Sequence, residues 1–308
     1  MVHRFLAAAL ATIGALALPA PAALGFCRTT TCAVKTPPDS CVRDFNTGCW
    51  TSGIPLFWPR ECLSYAVNVA GSPGLGLDYA AALAVVDRGF AHWPTASCTD
   101  GGSPSVAFMS RSGLTCDRVE YNPTGPNANA ILFRDSGWTH DPTALALTTV
   151  AFSVKTGQIL DADMEINTIV AMPIDLEFVV THESGHFVGL DHSPDTGAVM
   201  FFQYSGPANA TGDAPLAPDD IDAICAAYPP SRATPPVCDY EPDKGYATDC
   251  GGDVTAACAV APVSPSGDRN GLWICATVTL GAVLAHRLRA RRRRRRQPSQ
   301  DGSRPRSA

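Results

Sequence analysis

The run His182-Glu183-Ser184-Gly185-His186-Phe187-Val188-Gly189-Leu190-Asp191-His192 constrains this chain more than any other part of it. Residues four apart on an α-helix leave one face about a turn apart, so His182 and His186 can address a single cation if the run starts as a helix. Glu183, next to the first histidine, then lies beside the open coordination position, where a carboxylate can take a proton from bound water. A catalytic zinc is held by three protein ligands and a water. Gly189 can adopt the left-handed conformation that ends a helix and turns the chain back, which returns His192 towards the same point. Two incidental histidines on an amphipathic helix would be the plain alternative for His182 and His186 alone. The chain has only seven histidines, and three of them in this register by chance is rarer than about one in a thousand on ordinary residue usage.

A helix of this kind needs a sheet to pack against, and the upstream sequence supplies one. At 308 residues, 45% hydrophobic and 17% charged, the chain can bury one ordinary core with appendages. Alternation predicts strands at Leu63–Val69, Val106–Ser110, Ala130–Arg134, Leu145–Val154 and Ile159–Ile166, with Lys155-Thr156-Gly157-Gln158 turning between the last two. Helical spacing covers Asp78–Trp93, ended by Pro94, and Asp175–Val188, ended by Gly189. A last helix runs from Pro218, with Asp219 and Asp220 in its first turn, to Tyr228. The fold class expected is mixed α/β (α+β): a twisted sheet with the histidine-bearing helix and a C-terminal helix.

The ends of the chain speak for the compartment. Arg4, the apolar stretch Phe5–Leu18 and Ala23-Leu24-Gly25 read as a signal peptide over 1–25. Eleven of the twelve cysteines are scattered from Cys27 to Cys258 rather than gathered in CxxC pairs, which points to disulfides and an oxidising environment. Residues 26–59 read as a Cys-rich N-terminal extension, 60–230 as the body, and 231–270 as a Pro- and Cys-containing stalk. An apolar segment at 271–286 follows, then an Arg-rich tail over 287–308. The uncharged stretch Gly271–Ala285 is shorter than the roughly 20 residues of a comfortable membrane helix, yet the arginines behind it mark a cytoplasmic side. A stop-transfer or sorting role is favoured over a solvated disordered tail. Cys258, the apolar stretch and the arginine cluster together resemble the tripartite C-terminal sorting signals of Gram-negative bacteria, including the myxobacterial type. Between residues 26 and 270, 12 Lys and Arg face 28 Asp and Glu, an acidity that argues against nucleic-acid binding and suits calcium-type ligands.

The histidine run matches every fixed position of HExxHxxGxxH and thereby resembles the metzincin clan of zinc endopeptidases. Gly189-Leu190-Asp191-His192-Ser193 is most similar to its matrixin (matrix metalloprotease-like) branch. The resemblance implies His182, His186 and His192 as zinc ligands and Glu183 as general base and acid. It implies Met200, eight residues past His192, as the methionine of a supporting Met-turn; a lone methionine would read as core filler, and only the spacing lifts it above that. Leu216–Ile224 looks like the matrixin C-terminal helix, and Gly157–Asn167 like the strand preceding the active-site helix. An extended protein or peptide substrate is expected to pair with an edge strand, taken as the one ending near Asn167.

Departures from the pattern limit what can be carried across. No PRCGxPD switch is present, so Cys41 or Cys49 is weighed as a zinc cap against a disulfide, with the disulfide favoured. Outside the motif, the body between the leader and the C-terminal tail offers only His92 and His140 for a second, histidine-rich zinc, so a single zinc is expected. Asp161, Asp163 and Glu165 alternate hard oxygen ligands that could hold calcium or simply form a polar strand face. Phe202 stands where the family has proline, and Tyr204 keeps its usual tyrosine; both are candidates for the substrate pocket. The function expected is zinc-dependent hydrolysis of peptide bonds in extracellular proteins. A non-catalytic surface zinc-binding adhesion module and hydrolysis of a non-protein amide are the alternatives.

Overall fold

The computed structural model describes residues 25–170, 175–204, 215–232 and 237–249, together with the backbone of Cys258 and Ala259. The expected signal peptide up to residue 24, the apolar segment and the arginine-rich tail lie outside the described residues. Within them, no helix is long and apolar enough to cross a membrane.

The elements run β1 (Cys62–Val67), α1 (Tyr79–Ala91), β2 (Ala107–Ser110), β3 (Ala130–Arg134), β4 (Ala146–Phe152), β5 (Ile159–Asn167), α2 (Leu176–Phe187), α3 (Pro218–Ala227) and β6 (Cys258–Ala259). This is the mixed α/β architecture expected. The strands lie in the order β2-β1-β3-β5-β4-β6. β1 is parallel to β2 and β3, and β3 to β5, so these links need long crossovers, of which α1 provides the first. β4 and β5 instead form an antiparallel hairpin, because Gly157 takes φ +74° in the turn between them.

That hairpin corrects one expectation. The strand ending at Asn167 is β5, and it is not an edge: β3 covers one side and β4 the other. Beside α2 lies β4, whose far side carries, among the described residues, the two-residue pairing of Thr149 with Ala259 and Val150 with Cys258 of β6.

The helices cover one face of the sheet. Asp78 caps α1 through its side chain, which accepts from the Ala81 N–H at 2.8 Å. Phe90 of α1 stacks on Tyr65 of β1 with centroids 4.1 Å apart and meets Phe187 of α2 edge-on at 5.2 Å. Trp93, Phe90 and Phe187 are among the largest fully buried side chains. Each such burial stabilises by about 1.5–3 kcal/mol, and here all three bear on the last turn of α2. Successive residues of a strand face opposite sides. Ala162, Met164 and Ile166 join this helix-side core, while Ala130, Leu132 and Leu114 form a second apolar cluster on the other face.

Disulfides tie the outlying segments in. Cys27–Cys49 and Cys32–Cys41 lie within the N-terminal extension, Cys62–Cys238 joins β1 to the segment after α3, and Cys98–Cys225 fixes α3 itself. Residues 237–249, read from sequence as stalk, pack on the body. Arg60 reaches Asp243 at 2.6 Å, Arg111 reaches Glu241 at 2.6 Å, and Tyr246 leans on the second cluster.

Candidate metal centre

Asp175 caps α2, its carboxylate accepting from Glu177 N–H at 2.9 Å and Phe178 N–H at 3.3 Å. From Phe178 to Phe187 every residue of the helix is buried, so an ionisable group there requires a partner or a purpose. The helix stops where the sequence says it should. Gly189 has φ +86°, and a Cβ added to it would stand 2.5 Å from the Leu56 carbonyl oxygen, so only glycine fits. Leu190 N–H then bonds back to Gly185 O at 2.9 Å, which brings His192 beneath the helix.

The three histidines converge. His182 Nε2 lies 3.1 Å from His186 Nε2, and His186 Nε2 3.3 Å from His192 Nε2. Among the described residues they are the group of three His, Cys, Asp or Glu side chains close enough to share an ion. Their hydrogen bonds decide what they can do. His182 Nδ1 sits 2.6 Å from Val199 O, and His186 Nδ1 2.9 Å from Leu190 O. A carbonyl only accepts, so both Nδ1 atoms carry the proton and both Nε2 atoms are bare lone pairs. Two bare nitrogens at 3.1 Å repel one another unless something positive lies between them. Zinc–nitrogen bonds of about 2.0–2.1 Å at tetrahedral angles place ligand nitrogens roughly 3.3 Å apart, and the observed spacing fits that. Burial, then the neighbouring His186, holds His182 well below its ordinary pKa; burial lowers His186 to about 4; and burial with the other two rings lowers His192. All three are neutral at pH 7, as metal ligands must be.

Glu183 is wholly buried beside them. Its Oε2 accepts from Thr148 Oγ1 of β4 at 2.6 Å, while its Oε1 is buried without a partner. Burial raises its carboxyl to about 8, against the lowering effect of Thr148.

Packing beneath the histidines is equally specific. A Cβ on Gly185 would come within 2.2 Å of the Met200 sulfur and 2.8 Å of the Trp93 ring, so this helix position must be glycine for Met200 to lie there. Asp220, at the start of α3, accepts from Val199 N–H at 2.8 Å and Met200 N–H at 3.0 Å. It thereby fixes the backbone whose Val199 carbonyl orients His182. Ser193 donates to Asp219 at 2.5 Å and its N–H to Met200 O at 2.8 Å, holding the far side of the same turn.

The N-terminal extension grips the loop that carries His192. Arg28 bonds to Leu56 O at 2.5 Å and Gly189 O at 3.3 Å, Thr29 Oγ1 donates to Leu190 O at 2.8 Å, and Asp191 N–H donates to Cys27 O at 3.0 Å. Leu190 O thus serves Thr29 and His186 at once. Cys41 and Cys49 are both in disulfides, which removes them as zinc caps.

Of the pocket candidates, the Phe202 ring lies 6.4 Å from that of His192. Tyr204 meets Phe178 edge-on at 5.3 Å, and its hydroxyl accepts from Asp175 N–H at 2.8 Å, which anchors the start of α2. The carboxylates of β5 go elsewhere. Asp163 accepts from Ala130 N–H at 2.7 Å and Glu120 N–H at 2.9 Å, Glu165 pairs with Arg134 at 2.6 Å and His140 at 3.0 Å, and Asp161 keeps a buried Oδ1 without a partner. His92 pairs with Glu177 at 3.0 Å.

Thr148, Thr29, Asp219 and Asp220 escaped sequence reasoning as members of the site. The two aspartates carried a signal that was read only as helix-dipole complementarity. A threonine in a strand carries none.

Residues 118–229 match the family model described as matrixin. The chain is 46% identical over 69 residues to the interstitial collagenase of Oryctolagus cuniculus and, at the same identity, to that of Sus scrofa. It is 40% identical over 73 residues to the neutrophil collagenase of Homo sapiens. These matches cover 20–21% of this chain and only 14–15% of the relatives. The mixed sheet, buried helix and following turn agree with the matrixin or metzincin fold, and the comparisons support a metalloprotease of that kind.

Proposed function

We propose that the protein is a zinc-dependent endopeptidase. The observation that carries the reading is the convergence of three imidazole Nε2 atoms, two of them bare, beside a buried carboxylate with one oxygen left free. His182, His186 and His192 would hold the metal, which when bound supplies Lewis acidity and a water of lowered pKa. Glu183 Oε1 takes the proton from the attacking water and passes it to the leaving amine, general base then general acid. A positive charge at the histidine centre favours the ionised form of Glu183, which burial alone disfavours. Val199 O and Leu190 O hold two imidazoles in the tautomer that presents Nε2.

An extended polypeptide would add to the outer edge of β4 along Ala146–Thr148, beside the short β6 pairing at Thr149 and Val150 and near Glu183, by backbone hydrogen bonding. Phe202, beside His192, would wall the pocket for the residue after the scissile bond. A purely structural zinc module has no use for a buried carboxylate with a free oxygen, so the adhesion reading is set aside. The disulfides support an extracytoplasmic location, and we place the protein outside the cytoplasm, with its tail serving sorting or anchorage. The proposal is confined to one zinc. Calcium at Asp161, Asp163 and Glu165 has less support, since two of the three are already partnered.

The test is incubation of the purified protein with denatured protein substrates, with and without a zinc chelator. Chelator-sensitive cleavage is expected. None from zinc-loaded wild type would overturn the reading.

A further inference from the structure

Glu183 has two carboxylate oxygens and the structure treats them differently. Oε2 accepts a 2.6 Å hydrogen bond from Thr148 Oγ1, whereas Oε1 is buried with no partner. Thr148 is itself fully buried, in the middle of β4, with its backbone paired to Met164 of β5. Its hydroxyl also lies 3.1 Å from the Glu183 carbonyl. A hydroxyl has one proton to give, and the shorter contact to the carboxyl is the one that charge assists.

From this geometry we propose that Thr148 is a positioning residue for the general base: it ties down one oxygen of Glu183 so that the other faces the histidine centre. The inference rests on the endopeptidase reading for its functional meaning. Glutamate has three side-chain torsions, and α2 alone does not choose among their rotamers. A strand-borne donor opposite the helix does, because β4 is held rigidly by its ladder to β5. Rigid placement of a reacting group is where a structural hydrogen bond becomes a rate effect. Only the hydroxyl of Thr148 is invoked, so serine should replace it and valine, which has the same shape, should not.

The experiment compares wild type, Thr148→Val, Thr148→Ser and Glu183→Gln as full chains loaded with zinc. Thr148→Val should lower kcat about tenfold or more with KM little changed and zinc content equal to wild type, and Thr148→Ser should restore most of the rate. A hydroxyl needed only for folding would, when removed, lower the melting temperature and leave kcat per zinc-loaded molecule unchanged; that result overturns the proposal. Equal loss in both Thr148 variants also overturns it, since serine keeps the hydroxyl and the rate would then not depend on it. A second readout needs no activity. In zinc-free protein the Glu183 carboxyl infrared band, identified by its loss in Glu183→Gln, should shift in Thr148→Val and not in Thr148→Ser. An unmoved band sinks the proposal even if the enzyme is active. A moved band with inactive wild type would sink the endopeptidase reading and leave the contact standing.

Discussion

A row of ionisable side chains lies on each side of the sheet, and the protein treats most of the two rows in opposite ways. On the helix face, the Nε2 atoms of His182, His186 and His192 converge, and those of the first two are bare because backbone carbonyls take the protons on their opposite nitrogens. On the other face, Asp163 is satisfied by two backbone N–H groups and Glu165 by Arg134 and His140, so their charge is spent inside the protein. Spacing on an element therefore does not make a metal site. What distinguishes the faces is whether the surroundings consume the donor atoms or aim them at a common point.

The largest effects should come from breaking the convergent face. His186→Ala removes the nitrogen that neighbours both others and should abolish zinc binding and activity together, measured by metal analysis of the purified protein. Glu183→Gln should retain zinc at wild-type stoichiometry and lose about 10²–10⁴-fold in turnover. Retention of both zinc and rate in either variant would mean that the convergence is not the working site.

Next in size is the grip of the extension. Thr29→Val removes a donor from Leu190 O, the carbonyl that orients His186. Loss of such supporting contacts typically costs metal sites about 10–100-fold in affinity, and a competition titration with a chromogenic chelator should show a weakening near the lower end. An unchanged zinc affinity would show that the loop holds His186 and His192 without the extension.

How much of this contrast was legible beforehand follows from the range of the interactions. The histidine helix, its stop at Gly189 and the return to His192 depend on residues within eleven positions, so spacing sufficed. The β4–β5 hairpin was legible for the same reason, through the turn at Gly157. The position of β5 within the sheet was not, because strand order is set by long-range crossovers that alternation does not encode, and a strand expected at an edge lies inside the sheet. The partners of Glu165 lie at Arg134 and His140, and those of Asp163 at Glu120 and Ala130, all brought there by tertiary packing. Thr148 and Thr29 reach the site from separate segments. A one-dimensional pattern lists the donors of both faces and cannot say which of them are spent.

The partnered face gives a stability prediction with a pH sign. Burial pushes the Glu165 carboxyl up, but the His140 bond and the Arg134 guanidinium together outweigh it and hold the group below its ordinary 4.5. A carboxyl lowered on folding stabilises the native state above the unfolded value and loses that contribution as pH falls through the folded one. Glu165→Gln should therefore cost about 2 kcal/mol at pH 7, with the difference from wild type narrowing below pH 4.5 in urea unfolding. A pH-independent difference would assign the cost to packing instead of charge.

Asp161 gives the smallest and sharpest test, because it is the one member of its row that the protein leaves unpaid for. Burial first, then the charges of Asp163 and Glu120, raise its carboxyl well above 3.8. For an acid raised on folding the sign is reversed: the native state is favoured while the group is protonated and loses stability as pH rises from the unfolded value through the folded one. Asp161→Asn removes that loss and should leave the protein equally or more stable at pH 8, by up to about 1 kcal/mol, while making little difference near pH 4. Millimolar calcium should leave the unfolding midpoint of wild type unmoved, since Asp163 and Glu165 have no free oxygens to converge with Asp161. A calcium-dependent rise in wild type that Asp161→Asn abolishes would instead show that this face, too, aims its donors at a common point, and the distinction between the two faces would fail.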